Sequence, residues 1–330
     1  MTGKIIGTGS CMPVRVVSNQ ELSEHMDTSD AWIRERTGIR NRHIISGEET
    51  TTSLAAEAAG NAISMAGIDP EDLDLILLAT SSSNTHVPAA SCCVQQLIGA
   101  KHAACFDISA ACSGFVFALI TAQAYIRAGM AKLAVVIGAD AISNLVDWED
   151  RSSCILFGDG AGAVVVQATE EDIPFYGVMH TDSTKAGALL AKSRHQRIQP
   201  AMEETYLRMD GKEIFKFALT RVPQVIHEVL EQAGCGVEDV DLFLLHQANG
   251  RIIESVVKKL KVPPWKVPVN VDEYANFSAG TIPVLLDQLN RRGKLKRGQR
   301  LVLAGFGAGL AWGGSYIEWQ MDRITGSEEG

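Results

Sequence analysis

The chain contains one sequence pattern twice, and this duplication limits its possible folds more than any other feature. Residues 67–78 read GIDPEDLDLILL and residues 234–245 read GCGVEDVDLFLL, so acidic residues and an apolar run recur in the same order. Further along, the glycine-rich segment 158–162 is echoed by the segment 305–309. Ordered matches of this kind predict an α/β fold made by internal duplication of one unit, with loops of different length in the two copies.

The register of the duplication draws attention to two polar residues. Arg127 recurs as Arg291, each two positions before a glycine, and Cys112 precedes the first arginine by the same interval as Asn276 precedes the second. Two-fold related units would bring these matching positions close together. Because the two halves differ in chemistry there, this is where we expect a functional site.

Cys112 lies in the segment 107–115, DISAACSGF, where a turn of small residues leads into a long apolar run. The run from Phe115 to Ile126 is almost unbroken Phe, Val, Ala, Leu and Ile, which predicts a buried helix that ends at Gly129. The positive end of that helix would favour the thiolate of Cys112, as expected of a nucleophile. The local sequence fits a small core residue equally well.

His246 follows the apolar run 242–245, which has the composition of a buried strand. Ligands of α/β sheets bind at the carboxyl ends of strands. Taken alone, His246 would be interpreted as a structural histidine and Asn276 as a helix cap. In register with Cys112, the three residues predict a site.

The composition predicts a soluble enzyme with reduced thiols. With 330 residues that are 46% hydrophobic, the chain has enough apolar residues for two fused halves, 1–170 and 171–330, joined near residues 168–178. Residues 1–10 show no cleavable apolar leader, and no run reaches the ~18 apolar residues of a membrane helix, so we expect a cytoplasmic location and no membrane partner.

Charge and cysteine spacing narrow the function classes further. The net charge of −9 disfavours nucleic acid binding. Seven cysteines without metal-ligand spacing predict neither a metal site nor a disulfide framework. The glycine-rich segments 158–162 and 305–309 read G-x-G-x-G and lack the full spacing, helix pattern and later acidic residue of a dinucleotide loop, so we expect no nucleotide cofactor.

Four segments are informative when they are taken together, namely DISAACSGF at 107–115, LLHQAN at 244–249, Asn276 with SAGTIP at 278–283, and GFGAGLAWGG at 305–314. They resemble the thiolase-fold condensing enzymes and, within them, the family of β-ketoacyl-acyl carrier protein synthase III. The resemblance runs from about residue 3 to residue 320. A single histidine with an asparagine argues against the elongating synthases, which carry two histidines. Degradative thiolases use a second cysteine near the C-terminus, whereas the last cysteine here is Cys235.

The resemblance implies a thiolase-like fold and an acyltransferase that starts fatty acid synthesis. Such an enzyme condenses an acyl-CoA with malonyl-acyl carrier protein, without a cofactor beyond the coenzyme A thioester that is its substrate. Cys112 would carry the acyl group, while His246 and Asn276 would stabilise the enolate that decarboxylation produces. The turn that would border the site and supply an oxyanion donor consists of Gly307, Ala308 and Gly309.

The resemblance also implies the contacts with coenzyme A. In the family a tryptophan and an arginine hold the adenine between them, and the matching residues are Trp32 and Arg151. A guanidinium opposite an indole suits a flat base. Without the resemblance, Trp32 would anchor a helix and Arg151 would form a surface ion pair. The other positions that match the pantetheine tunnel or its mouth are Thr28, Arg36, Gly211, Phe215 and Asn249.

A cluster of basic residues predicts where an acyl carrier protein docks. Acyl carrier proteins are strongly acidic, so a basic island on an acidic enzyme would attract one to the tunnel mouth. The same residues would otherwise form a solvated helix face. The predicted docking residues are Arg251, Lys258 and Lys259, with Lys261 beside them, and Lys216 by resemblance.

Two residues depart from the family's pattern near the site. Phe277 replaces the threonine that usually follows the asparagine, and Ala308 replaces the middle glycine of the turn. The family works as a homodimer in which a residue, often aromatic, closes the acyl pocket of the partner, and the matching residue is Val87. A valine leaves room for acyl groups longer than acetyl, while Phe277 would reduce that room. The sequence therefore leaves the primer length open.

Two other functions stay open at this point. A condensing or acyl-transfer enzyme of secondary metabolism, of polyketide or quinolone type, would keep the same three residues. A non-catalytic partner subunit of a heteromeric synthase would usually lose the nucleophile, so Cys112 argues against it.

Overall fold

The computed structural model describes residues 1–192 and 205–324. The strands are β1 (Thr2–Cys11), β2 (Arg15–Ser18), β3 (Asn41–Ile44), β4 (Leu75–Ala79), β5 (Ala104–Ile108), β6 (Leu133–Ala141), β7 (Asp159–Thr169), β8 (Phe175–Thr181), β9 (Leu189–Leu190), β10 (Arg208–Met209), β11 (Leu242–Leu245), β12 (Arg300–Gly307) and β13 (Ala311–Glu318). The helices are α1 (Asn19–Ser23), α2 (Asp30–Thr37), α3 (Thr51–Ala66), α4 (Ala90–Ile98), α5 (Gly114–Arg127), α6 (Gly211–Ala233), α7 (Gly250–Leu260), α8 (Val271–Tyr274) and α9 (Thr281–Arg291). Short 3₁₀ turns connect several of these elements.

Two main sheets repeat one topology. The first sheet has the strand order β1-β7-β6-β4-β5, and the second has the order β8-β13-β12-β11 when it is followed from the same side. In both sheets the first three strands pair antiparallel and the following pair is parallel. The predicted duplication is therefore confirmed. Among the described strands of the first sheet, only β5 lacks a counterpart in the second.

Helices form three layers around the two sheets. Helix α5 packs on β4 and β6 of the first sheet and also on β12 and β13 of the second, so it lies between them together with α9. Because both of its sides contact a sheet, its sequence is apolar all round, as predicted. Helix α3 covers the outer face of the first sheet and α6 that of the second. Within the described residues no helix combines the length and the apolar character needed to cross a membrane.

The sequence echoes differ in how well they match the structure. The paired segments that end in DLDLILL and DVDLFLL each form a 3₁₀ turn followed by a buried strand, β4 or β11. The glycine-rich echo is wrong in register. Residues 158–162 enter the start of β7, whereas residues 305–309 form the end of β12 and the turn after it. Both segments are rich in glycine because their backbones pack closely against neighbours, which needs no common origin.

Candidate active site

Cys112 lies in a strained turn between β5 and α5. A 3₁₀ turn from Ala111 to Ser113 leads directly into the helix, and Ala111 has a left-handed φ of 46°. The Ser113 hydroxyl donates to the Ala110 carbonyl at 2.7 Å, which closes the turn. Cys112 is buried, and it faces the interior between the two sheets.

Asn276 lies in the equivalent turn before α9. Its backbone N–H donates to the Leu156 carbonyl at 3.0 Å, and its side-chain Oδ1 accepts the Ser278 N–H at 2.9 Å. Because the oxygen is engaged, the amide nitrogen is the end left to donate to a ligand. Ala275 and Ser278 on either side have φ values of 59° and 53°.

Left-handed backbone conformations are concentrated at these two turns. Four non-glycine residues in the described ranges have positive φ, and three of them are Ala111, Ala275 and Ser278. Such conformations cost about 1 to 3 kcal/mol each and persist where the surrounding structure imposes them. The two turns are thus held in shapes that a relaxed chain would avoid.

His246 directly follows β11 and is almost fully buried. Its Nδ1 lies 2.7 Å from the Thr281 hydroxyl in the first residue of α9, and its ring packs edge-on against Phe306 at 5.4 Å between centroids. Burial lowers the pKa of His246 to about 3, so the imidazole is neutral at physiological pH. The Thr281 hydroxyl also lies 3.2 Å from the Ser278 carbonyl, so its one proton can go to either acceptor. When it is donated to Nδ1, Nε2 carries the ring proton.

A tunnel cavity of about 320 Å³ is lined by the three predicted residues Cys112, His246 and Asn276 together. This cavity, called the tunnel cavity below, is also bordered by Trp32, Arg36, Gly211, Phe215, Asn249 and Gly307. The cavity therefore brings together the three residues proposed for the chemistry and most of those proposed for the coenzyme A path, while Thr28 and Arg151 are not part of its lining.

A second cavity of about 420 Å³ lies on the other side of Cys112. Its walls are mostly apolar or small, and we call it the acyl cavity. Its lining includes Ser81, Ile142, Leu145, Leu207, Ser278, Ala308 and Gly309, and it shares Cys112, Phe157 and Leu189 with the tunnel cavity. Cys112 is thus positioned where the two cavities meet.

The protonation of Cys112 differs from the expectation. Burial raises the pKa of the thiol to about 12, and the nearby Asp140 carboxylate raises it further, while the Ser278 hydroxyl opposes this shift. Helix α5 begins only at Gly114, two residues beyond the sulfur. The resting residue is therefore a thiol, and the prediction that the helix dipole favours the thiolate is wrong for the resting state.

The turn at 307–309 packs closely around the nucleophile turn, as predicted. A Cβ atom on Gly307 would lie 2.8 Å from the Cys112 backbone nitrogen, so only glycine fits there. Gly307 faces the tunnel cavity, while Ala308 and Gly309 face the acyl cavity. The methyl group of Ala308 therefore occupies space at the wall of the acyl cavity, beside Cys112.

Trp32 is stacked against two arginines rather than one. The Arg36 guanidinium carbon lies 4.3 Å from the centroid of its ring and that of Arg151 lies 5.0 Å away. Arg151 also donates to the Asp27 carbonyl. The Thr28 hydroxyl is buried and has no hydrogen-bond partner among the described residues. At 5.0 Å from the centroid of the Trp32 ring, the Arg151 guanidinium leaves too little space for a flat base between the two groups in this structure.

Asn249 and Gly211 have structural roles as well as cavity positions. Asn249 caps α7 by accepting the Arg251 N–H at 2.8 Å, and its amide donates to the Arg36 carbonyl at 3.3 Å. Gly211 begins α6, with Phe215 one turn later facing the same cavity. The ends of α2, α6 and α7 therefore build the mouth of the tunnel cavity.

The two residues predicted to set acyl length lie in different environments. Phe277 is fully buried, but it lines neither cavity. Its ring is directed towards Gly160 and Gly280, where added Cβ atoms would lie 3.1 and 2.8 Å from it. Phe277 therefore occupies space made by glycines and takes no room from the acyl cavity. Val87 is 90% exposed, on a loop before α4.

The basic residues form two groups. Lys216 on α6 and Arg251 at the start of α7 are exposed near the tunnel mouth. Lys258 and Lys259 are in the last turn of α7, roughly 10 Å further along the helix axis. The Lys259 amine donates to the Leu219 carbonyl at 2.9 Å, so it also ties α7 to α6.

Sequence reasoning missed three polar residues that support the site, namely Asp140, Ser278 and Thr281. Each contacts one of the predicted residues or its immediate support. One signal was available, since Asp140 is the single charged residue in the apolar strand β6.

Comparisons with known proteins agree with this geometry. The sequence model described as 3-Oxoacyl-[acyl-carrier-protein (ACP)] synthase III matches residues 106–184, and that of its C-terminal part matches residues 230–319. A curated β-ketoacyl-[acyl-carrier-protein] synthase III from Acaryochloris marina is 46% identical over 96% of this chain and 97% of its own length. The chain belongs to the β-ketoacyl-acyl carrier protein synthase III family.

Solved structures place the family's fold on the chain as well. The 3-oxoacyl-[acyl-carrier-protein] synthase III of Aquifex aeolicus superposes with a TM-score of 0.91 at 44% identity, over 96% of this chain and all of that one. The priming β-ketosynthase of the R1128 polyketide pathway gives a TM-score of 0.92 at 35% identity, over 98% and 97% of the two chains. The predicted thiolase-like α/β fold and the predicted class of condensing acyltransferase are confirmed.

Proposed function

We propose that the chain is a β-ketoacyl-acyl carrier protein synthase III that joins an acyl-CoA primer to malonyl-acyl carrier protein and so starts fatty acid synthesis. The observation that carries this proposal is the tunnel cavity, which Cys112, His246 and Asn276 line together. A buried thiol, a neutral imidazole and an amide donor in one space meet the needs of acyl transfer followed by enolate formation.

In the first step Cys112 takes the acyl group from acyl-CoA. Its sulfur attacks the thioester carbonyl, and the carbonyl oxygen becomes an oxyanion. The Cys112 N–H and a backbone N–H of the 307–309 turn serve as donors to that oxygen. Each such donor is typically worth about 3 kcal/mol in the transition state. Coenzyme A leaves as the thiol, and the acyl chain occupies the acyl cavity.

In the second step malonyl-acyl carrier protein enters by the same tunnel. The neutral His246 donates through Nε2–H and Asn276 donates through its amide to the thioester oxygen of the malonyl group. These two bonds stabilise the enolate that forms as carbon dioxide leaves. The enolate carbon then attacks the Cys112 thioester, which gives the β-ketoacyl product on the carrier and releases the sulfur as a thiolate. The thiolate takes up a proton from solvent water, which restores the resting thiol. Donors fixed in advance cost no reorganisation at the moment of reaction.

Substrate positions follow from the tunnel mouth. Trp32 with Arg151 is proposed to hold the adenine of coenzyme A, with Arg36 and Thr28 close to it. Gly211, Phe215 and Asn249 would border the pantetheine arm. The carrier would dock on the exposed basic residues near the mouth, which are Lys216, Arg251, Lys258 and Lys259.

The size of the acyl cavity supports primers longer than acetyl. A cavity of about 420 Å³ holds on the order of ten groups the size of a water molecule. Phe277 does not intrude on it. The cavity is bordered by Leu189 and Ile142, which present apolar surface to an alkyl chain.

A homodimer is also part of the proposal. Strand β5 is at the edge of its sheet, and its Phe106 and Ile108 side chains are only partly buried. Unpaired edge strands favour association with another strand. Val87 is exposed on the neighbouring loop and would reach the acyl cavity of the partner.

We also propose that the two halves of the chain join between β7 and β8. The enzyme is proposed to work in the cytoplasm, which the seven free thiols support.

Mass spectrometry tests the proposal directly. The protein is incubated with acetyl-, butyryl-, hexanoyl- and octanoyl-CoA, with and without malonyl-acyl carrier protein, and the Cys112 peptide is analysed. We expect an acyl adduct on Cys112 that disappears when malonyl-acyl carrier protein is added, with a β-ketoacyl carrier as product. Turnover to the free acid without a β-ketoacyl product would indicate a hydrolase instead.

A priming enzyme of polyketide synthesis is the second candidate. A solved priming β-ketosynthase covers the chain as fully as the solved fatty acid enzymes do, and the acyl cavity accepts more than acetyl. The two candidates differ in their carrier. The same three residues serve both candidates, so the site itself does not distinguish them. A comparison of kcat/KM for malonyl groups on a fatty acid carrier and on a polyketide carrier decides between the two.

A further inference from the structure

Two thiols that the proposed reaction leaves unused lie in contact with each other. The sulfur atoms of Cys92 on α4 and Cys105 on β5 are 3.4 Å apart. Both side chains are only partly buried, and neither cysteine takes part in a disulfide. The two residues are 13 positions apart in the chain, so their contact depends on how the helix packs on the strand. All seven cysteines lie in the described ranges, and these two make the one hydrogen-bonding contact between cysteine sulfurs.

Helix α4 is held along β5 in a fixed register. At the start of the helix, the Asp107 carboxylate accepts the backbone N–H groups of residues 90 and 91, each at 2.8 Å. Further along, the Gln95 side-chain amide donates to the Ala103 carbonyl at 2.8 Å. The two thiols lie between these contacts in both the helix and the strand. Because the helix is attached on both sides of the thiol pair, the two sulfurs are kept facing each other.

Cys105 faces the helix and not the free edge of the sheet. It packs with the apolar residues beneath α3 and α4, whereas Phe106 and Ile108 pack with those on the opposite face of the sheet. Alternation of this kind is the normal geometry of a strand. A strand of a second subunit would pair with the backbone groups at the edge of β5, so the thiol pair stays within one chain.

A pair of thiols in contact needs only a rotation of the two side chains to reach bonding distance. With hydrogen peroxide as the oxidant, one thiol becomes a sulfenic acid by taking one oxygen from the peroxide, and the other oxygen leaves as water. The second thiol then attacks the sulfenic sulfur, which forms the S–S bond and releases the first oxygen as a second water. In total the two sulfurs lose two electrons and two protons, and the peroxide takes them up.

The nucleophile is better protected from the same oxidant than the thiol pair. Cys112 is buried, and burial raises the pKa of its thiol to about 12, so very little of the reactive thiolate is present. Burial also raises the pKa of Cys105 to about 11, with a smaller contribution from Cys92. We therefore expect Cys92 to meet the peroxide first and Cys105 to react second, since contact gives the second thiol a high effective concentration.

We propose that Cys92 and Cys105 form a reversible disulfide in response to peroxide, and that this bridge joins α4 to β5 while Cys112 stays reduced. The bridge lies between two elements that lead to the acyl side of the enzyme. Helix α4 follows the loop that carries Val87, and β5 leads into the turn that carries Cys112. Reduction by a dithiol restores both thiols. The inference concerns the cysteine pair alone and does not depend on the proposed substrate.

The experiment treats the full-length protein with increasing amounts of hydrogen peroxide, blocks the remaining thiols with N-ethylmaleimide in denaturant, and digests the protein without reductant. Trypsin cuts after Lys101, so the bridge joins the peptides 43–101 and 102–127, and fragmentation in the mass spectrometer identifies the linked cysteines. We expect a link between Cys92 and Cys105 that disappears after treatment with dithiothreitol. At the same peroxide concentrations, Cys112 should carry N-ethylmaleimide.

Serine variants assign the link to the two sulfurs. Cys92→Ser and Cys105→Ser should each abolish the linked peptides. The matched control is Cys93→Ser, which changes a partly buried cysteine one position further along α4 and should form the link with the wild-type yield. Circular dichroism identifies any variant that has lost its fold, and the peptide map of the wild-type protein then decides without that variant.

Four results would overturn the inference. They are no link at any peroxide concentration, a link that involves Cys112, oxidation of Cys112 while the pair is still reduced, and a covalent dimer on non-reducing electrophoresis that Cys105→Ser abolishes. The last result would place the bridge between two chains. No acyl-CoA is used in these measurements, so a failure of the proposed function leaves the test of the thiol pair unchanged.

Discussion

The turn before α5 and the turn before α9 occupy the same place in the two halves of the molecule, but they carry different chemistry. The first turn presents a thiol to both cavities, and the second presents an amide and supports a histidine. Both turns are strained in the same way, through left-handed residues beside the functional one. Duplication thus supplied two matching positions at the centre of the fold. In the proposed function, one position serves acyl transfer and the other serves formation of the enolate.

The C-terminal turn differs from its counterpart in how many groups it organises. The backbone N–H of Ser278 orients Asn276, the hydroxyl of Thr281 orients His246, and the N–H of Ala279 reaches Asp140. The N-terminal turn positions mainly its own cysteine. We therefore expect changes at Asn276 and Thr281 to affect mainly the second step, and changes on the acyl side of the N-terminal turn to affect the first.

The largest effects should come from single mutations that distinguish the roles of the two turns. Cys112→Ala should abolish acylation and product formation, because no other group receives the acyl chain. Asn276→Ala should still form the acyl-enzyme, while condensation falls by about a hundredfold or more for the loss of one enolate donor. Intact mass and product assays with acyl-CoA measure both steps. Acylation of the Cys112→Ala protein under the same conditions would remove the distinction between the turns.

A smaller loss is expected when the support of His246 is removed. Thr281→Val keeps the shape of the side chain but leaves Nδ1 without its partner, which costs about 1 to 3 kcal/mol for a buried group. Condensation by the pre-acylated enzyme should fall by about 10- to 100-fold, and acylation should change much less. Thr281→Ser, which keeps the hydroxyl, is the control and should restore most of the rate. Equal loss in both variants would mean that packing of the methyl group, and not the hydrogen bond, matters.

The preference for acyl-CoA length should depend on the loop of the partner that carries Val87. Val87→Phe adds a ring where the loop is proposed to close the acyl cavity, and each excluded methylene forfeits about 0.8 kcal/mol, or roughly fourfold in preference. The measurement is a competition between acetyl-CoA and butyryl- to octanoyl-CoA for Cys112. Preference should shift towards acetyl-CoA. An unchanged preference in a protein that light scattering shows to be dimeric would place the length limit elsewhere, for example at Leu189.

Mutations of the basic residues proposed to bind the acyl carrier protein should affect only condensation, the step that uses this carrier. Arg251→Glu and Lys258→Glu should raise the KM for malonyl-acyl carrier protein by about tenfold at low salt, and the difference should shrink as salt screens the charges. Self-acylation by acyl-CoA should be unaffected. Lys132→Glu, an exposed residue beside the far end of β6, is the matched control. If it raised KM equally, net charge alone would explain the result.

The smallest expected effect is that of pH, because we expect the rate of condensation to stay constant between pH 5 and pH 8. Because burial lowers the pKa of His246 to about 3, its neutral form persists above that value and only acidification towards pH 3 removes it. Condensation by pre-acylated enzyme should therefore be flat between pH 5 and pH 8 when followed by stopped-flow release of carbon dioxide. A loss of rate with a midpoint near the ordinary histidine pKa of about 6.5 would show that His246 is protonated in the working enzyme.

The sequence predicted those features that depend on spacing along the chain. The repeated acidic and apolar segments predicted β4 and β11, and the intervals to Arg127 and Arg291 led to the two turns that carry Cys112 and Asn276. The third echo failed because a run of glycines reflects close backbone packing, and such packing occurs both at the start of β7 and at the end of β12.

Features that depend on which side chains meet could not be predicted. Ala279 and Asp140 come together only because the end of β6 packs against the turn before α9, far away in sequence. The direction of the Phe277 ring depends on the space left by Gly160 and Gly280. The protonation of Cys112 depends on the surrounding burial, which outweighs the helix end that the sequence makes visible.

The left-handed conformations of Ala111, Ala275 and Ser278 have a consequence for how the enzyme evolves. Glycine at any of the three would relieve roughly 1 kcal/mol of strain in the folded state. It would also free the backbone that aims a catalytic group. Selection for heat resistance and selection for turnover therefore act in opposite directions on the same three positions, and a lineage that moves to higher temperature must gain its stability elsewhere in the fold.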